Sequence, residues 1–364
     1  MASSAPPSPP APGAAEPVVL LEGVRRRFAR VEALRSLDLR VEQGTVTVLL
    51  GPNGAGKTTA IRVITGALGV HGGTVRVFGL DPDHKTDGQS VRRRCGVVSA
   101  KPALYDRLSG FDNLRYAAEL YGMGWTEATK ERVVEAATRF GIQGSLDAQV
   151  GGYSTGMKTR LALSRSVLHQ PDLLLFDEPT SGLDPESSQA VLHLIKDMAA
   201  DGTTVVMCTH LLLEAEGLAE QVVVMEAGAD IASGPPDDLI RRYWPDDSVR
   251  LGVEDPAMLD GLATLPGVRR VTPVEDAAGE VDVDLDHLHR VPEIVLALTT
   301  RGARLTKVAP HERSLEELYF AVRRPHLATG DAPEGGGLAS VAPPPDVLAD
   351  VPPPAQQPAE EASV

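Results

Sequence analysis

The residues with the clearest chemical meaning form one short stretch, Gly51-Pro52-Asn53-Gly54-Ala55-Gly56-Lys57-Thr58-Thr59. Glycines at these intervals let backbone N–H groups turn inward around an anion, because no Cβ holds the chain away. The lysine after the last glycine adds a point charge for phosphate oxygens. The hydroxyl beside it suits a hard divalent cation such as Mg2+. A P-loop of this pattern must follow a strand and open a helix. Here the apolar run Val46 to Leu50 precedes it, and Lys57 to Ala67 reads as a helix. The chemistry implied is capture of a nucleoside triphosphate by its phosphates.

A second chemical element is Leu173-Leu174-Leu175-Phe176-Asp177-Glu178. An apolar strand ending in Asp177 can place a carboxylate beside a P-loop, where it would hold Mg2+. The adjacent Glu178 can then orient an attacking water and take its proton. Together the two segments point to phosphoanhydride hydrolysis.

The elements that must position these groups read as a parallel α/β core with a helical insertion. Strand-type runs are Val18 to Leu21, Leu37 to Val41, Val46 to Leu50, Leu173 to Phe176 and Val205 to Cys208. From Phe111 to Leu168 the pattern is mostly helical, with Leu114, Ala118 and Tyr121 on one face. A new pattern begins at Ser248: a strand to Val253, a helix over Pro256 to Leu265, and strands Val268 to Val274 and Val281 to Leu285. A helix over Pro292 to Thr300 and a strand from Ala303 to Val308 complete it. The order βαββαβ is that of a small α+β ferredoxin-like sandwich over 248–308. Val281 to Leu285 alternates cleanly between Val and Asp, with the period of a strand. A last helix, within 309–325, opens at Ser314, which stands at capping-box spacing from Glu317. The module from Ser248 to Phe320 is expected to fold apart from the first 243 residues.

Composition narrows the class. The formal net charge of −15 speaks against a nucleic-acid binder. Part of that charge lies in the tail 326–364, which holds Asp331, Glu334, Asp346, Asp350, Glu360 and Glu361 and no Lys or Arg. This Pro-rich tail and residues 1–17 are expected to be disordered, and the front lacks the basic and apolar segments of a signal peptide. Apolar runs are too short to cross a bilayer. Cys95 and Cys208 have no metal-like spacing and read as buried reduced thiols.

Over Val18 to Tyr243 the chain resembles the nucleotide-binding domains of ABC transporters, and further residues take meaning from that resemblance. Tyr153-Ser154-Thr155-Gly156-Met157 stands where the family carries Leu-Ser-Gly-Gly-Gln, the signature that meets the γ-phosphate held by an opposite subunit. This implies nucleotide contacts from Ser154 and Gly156. Ser181-Gly182-Leu183-Asp184 is similar to the D-loop, and His210 to the switch histidine beside the γ-phosphate. Phe28 stands where an aromatic stacks on adenine. One position departs: in Gly96 to Tyr105, Ala100 holds the place of the family's loop glutamine, which approaches Mg2+ and the water. The 248–308 module is similar to the C-terminal extension of drug-exporter ATPases.

The resemblance implies a P-loop ATPase that uses ATP and Mg2+ and closes as a homodimer or heterodimer on ATP. It would drive a separate integral membrane permease, export being the expected direction, from the cytoplasmic face of the cell membrane. No nucleic acid is expected as a partner. The alternative is a soluble ABC-type ATPase with a regulatory or nucleic-acid- or ribosome-associated role; such chains usually carry tandem nucleotide domains or a long coiled coil, and this one carries neither.

Overall fold

The computed structural model describes residues 16–274 and 277–328. The expectations for residues 1–15 and 329–364 lie outside them. In the first part the chain runs β1 (Val19–Phe28), β2 (Val31–Val41), β3 (Val46–Leu50), α1 (Lys57–Ile64), β4 (Gly72–Val77), α2 (Lys85–Arg93) and β5 (Cys95–Val98). Three helices follow, α3 (Gly110–Leu120), α4 (Glu127–Arg139) and α5 (Thr155–Val167). The chain then returns through β6 (Leu173–Asp177), α6 (Pro185–Ala200), β7 (Thr204–Thr209), α7 (Leu212–Glu216), β8 (Gln221–Glu226), β9 (Ala229–Gly234) and α8 (Pro236–Tyr243). Beyond these lie β10 (Asp247–Val253), β11 (Val268–Pro273), β12 (Glu280–Leu285), α9 (Val291–Thr300), β13 (Leu305–Pro310) and α10 (Leu315–Ala328).

Nine strands form one sheet in the order β4-β1-β2-β9-β8-β3-β7-β6-β5. It is mixed, which corrects the expectation of a parallel sheet. β8, β3, β7, β6 and β5 are parallel, whereas β4, β1 and β2 form an antiparallel wing and β9 runs antiparallel to β8. Every residue of β3, β6 and β7 is buried, as expected for strands covered on both faces. Their register, Leu50 opposite Thr209 and Asp177 opposite Cys208, brings three carboxyl ends to one edge. Ligands bind at that edge in α/β sheets. Both cysteines are buried and unpaired, and burial pushes the Cys95 thiol up to about 12.

Helix boundaries follow local chemistry. Ser109, Thr126, Ser154 and Asp184 each accept a backbone N–H at the start of α3, α4, α5 and α6. α1 stops at Ile64 rather than Ala67, because Gly66 turns the chain at φ 64°. Leu114 and Ala118 are buried in the helical subdomain beside Val133, Ala137 and Leu161.

The second sheet is antiparallel, in the order β11-β12-β10-β13. Its apolar face joins Val249, Leu251, Val281 and Val283 to Ile294 and Leu298 of α9. The first expected helix is absent there. Pro256–Leu259 and Leu262–Thr264 are short 3-10 turns, broken at Gly261, whose φ of 78° no helix accommodates. The aspartates of β12 are buried. Asp282 lies under a bidentate Arg250 at 2.7 and 2.9 Å, and Asp284 accepts from Arg313 at 2.7 Å.

α10 does not belong to this sheet. Ser314 and Glu317 form the reciprocal capping box, at 3.1 and 3.2 Å. Leu315, Leu318, Tyr319 and Val322 then bury themselves in the core of the nine-stranded part, with Ala215, Leu218 and Leu239. The helix runs to Ala328, past residue 325 where the last helix was expected to end. The module expected over Ser248 to Phe320 therefore ends before α10.

Candidate nucleotide site

The P-loop curls from β3 into α1. At Gly51 a Cβ would lie 2.4 Å from the Met225 carbonyl oxygen, so only glycine fits. Gly56 adopts φ 105° and abuts the Ala33 carbonyl, where a Cβ would sit at 2.6 Å. Unlike α3 to α6, α1 starts with no side-chain cap. Its first N–H groups are left for an anion, with the positive end of the helix behind them. Ala55 is buried, tied by its N–H to Pro52 O at 3.1 Å, while Asn53 and Gly54 are exposed at the rim. Pro52 and Thr59 are half-buried.

Lys57 is buried, and its ammonium donates to the carbonyls of Gly51 at 2.7 Å and Pro52 at 3.1 Å. It lies 3.7 Å from Glu178 Oε1. A buried ammonium with carbonyl partners and one carboxylate retains attraction for further anionic oxygens. Thr58 Oγ1 donates to Asp177 Oδ1 at 3.1 Å. Burial pushes the Asp177 carboxyl above its usual range, and the neighbouring Glu178 charge adds to this. The Thr58 hydrogen bond and Lys57 and Arg62 oppose it. A hydroxyl and a poorly solvated carboxylate at the head of α1 are the hard oxygen donors that Mg2+ takes together with phosphate oxygens. The residues fit that ion.

Glu178 follows Asp177 with φ 50°, a left-handed backbone that costs a residue with a side chain roughly 1–2 kcal/mol. The turn is fixed by Glu178 N to Cys208 O at 2.9 Å and Ser181 N to Glu178 O at 3.1 Å. It swings the carboxylate away from the strand line, to 3.2 Å from His210 Nδ1 as well as near Lys57. Lys57, Thr58, Asp177, Glu178 and His210 thus come together from α1, β6 and the end of β7.

A family model described as ABC transporter matches residues 34–181. The daunorubicin resistance ATP-binding protein DrrA2 of Streptomyces coeruleorubidus is 33% identical over 83% of this chain and 94% of its own length. The chain belongs to the ABC transporter family. The linearmycin resistance ATP-binding protein LnrL of Bacillus subtilis is 30% identical over 82% of this chain and 96% of its own. A solved ATP-binding subunit of an ABC transporter, 28% identical, superposes with a TM-score of 0.56 over 62% of this chain and 93% of that one. CbiO1 from Clostridium perfringens, part of the complex cbiONQ, is 25% identical and reaches 0.56 over 64% and 97%. This ABC subunit binds and hydrolyses ATP.

The remaining ABC motif positions lie apart from the five-residue cluster. Among the described residues, no hydrogen bond or ion pair joins Ser154, Gly156 or Asp184 to it. Ser154 is exposed and caps α5, its Oγ accepting from Met157 N at 3.2 Å. Gly156 sits beside Ser187 and Leu183, where a Cβ would meet only ordinary contacts. Asp184 is exposed and caps α6, and its hydrogen bonds to Ser187 hold its carboxyl below the usual range. Phe28 is half-buried at the end of β1, with the Arg26 guanidinium 4.9 Å over its ring. The same hairpin continues to Ala33 and Leu34, which touch Gly56. Ala100 is exposed, and the neighbouring Ser99 hydroxyl is spent on the Lys101 carbonyl at 3.0 Å.

Sequence reasoning passed over Thr180, Thr209 and Glu214, which lie buried behind the cluster. A Glu in the first turn of a helix, four residues after His210, reads as a solvent-facing partner of the helix dipole. The one available signal was the pair of threonines placed beside the two residues assigned to chemistry.

Proposed function

We propose that this chain is the ATPase subunit of an exporter, that two copies of it, or it and a related ATPase subunit, close on ATP, and that closure drives a separate membrane permease. The observation that carries the two-subunit reading is the division of the site. Lys57, Thr58, Asp177, Glu178 and His210 converge on one edge of the sheet, and the exposed Ser154 and Asp184 with the half-buried Gly156 offer the second half that an opposite subunit needs. The relatives named for daunorubicin and linearmycin resistance support export. No helix among the described residues is long and apolar enough to cross a membrane, so the path is assigned to another chain.

In this reading Lys57 and the amides opening α1 neutralise the β- and γ-phosphates, and Phe28 stacks on adenine. Mg2+, when bound, neutralises charge developing on the phosphate oxygens; Thr58 and Asp177 would hold it. Glu178 orients the attacking water and receives its proton on a carboxylate oxygen. His210 fixes that carboxylate and adds a donor near the γ-phosphate. Ser154 and Gly156 of the opposite subunit meet the same phosphate, so neither surface alone satisfies its charge.

Tyr105, Leu108, Tyr116 and Leu120 form an exposed apolar surface where the Ala100 loop enters α3, with the two tyrosine rings edge-to-face at 5.1 Å. Such a surface suits a protein partner. The test is purification of the tagged full chain from detergent-solubilised membranes. A polytopic membrane protein is expected to accompany it, and Leu120→Asp is expected to release that protein while leaving soluble ATPase activity within about twofold of the parent. Recovery with ribosomes instead would favour the soluble alternative.

Ala100 bears on rate. A loop without an amide gives up one polar contact to the water, which in such sites is worth on the order of 10-fold or more. Ala100→Gln is expected to raise steady-state phosphate release by about that factor, with Lys101→Ala leaving it unchanged. An unchanged rate in Ala100→Gln together with a sharp loss in Lys101→Ala would show that the loop supplies the contact from Lys101.

A further inference from the structure

The turn that carries Glu178 and the strand end that carries His210 are tied to one buried carboxylate. Thr180 Oγ1 donates to Glu214 Oε1 at 2.5 Å, and Thr209 Oγ1 donates to Glu214 Oε2 at 2.8 Å. All three residues are buried, at 4%, 1% and 7% exposure. Leu211 N donates to the Thr209 hydroxyl at 3.0 Å, while the hydroxyl's own proton goes to Glu214. Thr180 stands two residues after Glu178, and Thr209 immediately precedes His210.

We propose that Glu214 is a positioning residue for ATP hydrolysis, its carboxylate clamping the Glu178 turn to the His210 strand end. The inference rests on the roles given above to Glu178 and His210. An ionised carboxylate is acceptor-only, so it takes one hydroxyl on each oxygen with no donor left over. That pairing is what permits a carboxylate behind the site where no cation among the described residues lies at hydrogen-bond distance. Its mechanical effect is on the strained turn. The left-handed backbone of Glu178 persists only where its surroundings over-determine it. One end of the turn is held by Glu178 N on Cys208 O, and the Thr180 hydroxyl holds the other. Releasing Thr180 lets the turn relax and takes the carboxylate away from His210 Nδ1, now at 3.2 Å. The P-loop contacts of Lys57 do not pass through this clamp. Binding and turnover should therefore respond separately.

The experiment measures kcat, the KM for ATP and equilibrium nucleotide affinity on the full chain for Thr180→Val, Thr180→Ser, Glu214→Gln and Glu178→Gln. Thr180→Val keeps shape and removes the hydroxyl. It is expected to lower kcat about 10-fold or more with KM and affinity within about twofold, since small displacements of catalytic groups cost rate rather than binding. Thr180→Ser, which restores the hydroxyl, is expected to recover most of that loss. Glu214→Gln keeps size but can accept on one oxygen only, and its kcat is expected to fall in the same way. If Glu178→Gln stops turnover while Thr180→Val and Glu214→Gln keep the parent kcat, the clamp is refuted and the role of Glu178 stands. If KM rises and affinity falls in step with the loss of kcat, or Thr180→Ser is as slow as Thr180→Val, Glu214 serves the fold alone and the inference is overturned. If Glu178→Gln still turns over, the assignment of Glu178 itself fails, and that failure is read independently of the clamp.

Discussion

Replacing Glu178 by Gln is expected to cut ATP turnover by roughly a thousandfold while leaving nucleotide affinity within about threefold of the parent. The two side chains have the same length. Gln keeps an oxygen to face His210 and Lys57, so the geometry near 3.2 and 3.7 Å survives. What disappears is the negative charge and the ability to take a proton from water, an effect of the order of a hundred- to ten-thousandfold. Lys57→Ala is the contrasting variant. It removes the ammonium buried against Gly51 and Pro52, and nucleotide affinity is expected to fall with the rate. With hydrolysis blocked and binding intact, Glu178→Gln should accumulate as an ATP-bound dimer. Light scattering would then show a doubled mass with ATP and Mg2+, and the single mass with ADP. A parent-like rate in Glu178→Gln would remove Glu178 from the chemistry. A single mass at saturating ATP would remove homodimer closure and leave pairing with a different ATPase subunit.

These variants could be chosen from sequence because the residues they touch are local signals. The spacing of Gly51, Gly56, Lys57 and Thr58 is a backbone requirement written in consecutive residues. Asp177 and Glu178 end an apolar run whose burial forces it into the sheet centre. The structure adds the convergence of β6 and β7, and a left-handed turn at Glu178 that its residue type gives no hint of. The alternation in β12 was readable as a strand. It shows that Asp282 and Asp284 share a face, and it cannot show that Arg250, His311 and Arg313 close over that face. Pro256 to Leu265 carried a helical pattern, yet Gly261 takes a conformation that ends any helix, and one glycine in a window does not cancel periodicity. Glu214 was illegible for a similar reason. A charged residue at a helix start is ordinary, and only the fold brings Thr180 from the turn after β6 and Thr209 from the end of β7 onto it.

α10 shows the same limit and sets the largest effect on stability. Its start was readable from Ser314 and Glu317, but an amphipathic helix does not state which surface it covers. The structure seats it on α7, α8 and β9, burying Leu315, Leu318, Tyr319 and Val322, with Arg323 paired to Glu226 and Leu315 N on Glu216 Oε1 at 3.2 Å. A chain ended after Tyr243 loses the small sheet and this cover together. Large truncations of a packed core cost roughly 3 kcal/mol or more, which in a domain of this size lowers Tm by about 10 °C. Such a chain is expected to melt early and to bind hydrophobic dyes, and its turnover should fall because α7, which carries Glu214, loses its outer support. The small sheet itself should be dispensable for stability. Its flanking segments meet where the Arg313 guanidinium lies 5.2 Å over the Trp244 ring, so a short Gly-Ser linker in place of residues 246–312 can rejoin α8 to α10. That chain is expected to keep a Tm within about 3 °C of the parent and most of its ATPase activity. Thermal melts and phosphate release on the two shortened chains decide between the contributions. Parent-like stability in both would mean that neither α10 nor the small sheet supports the core, and equal loss in both would mean that the small sheet, not α10, holds it.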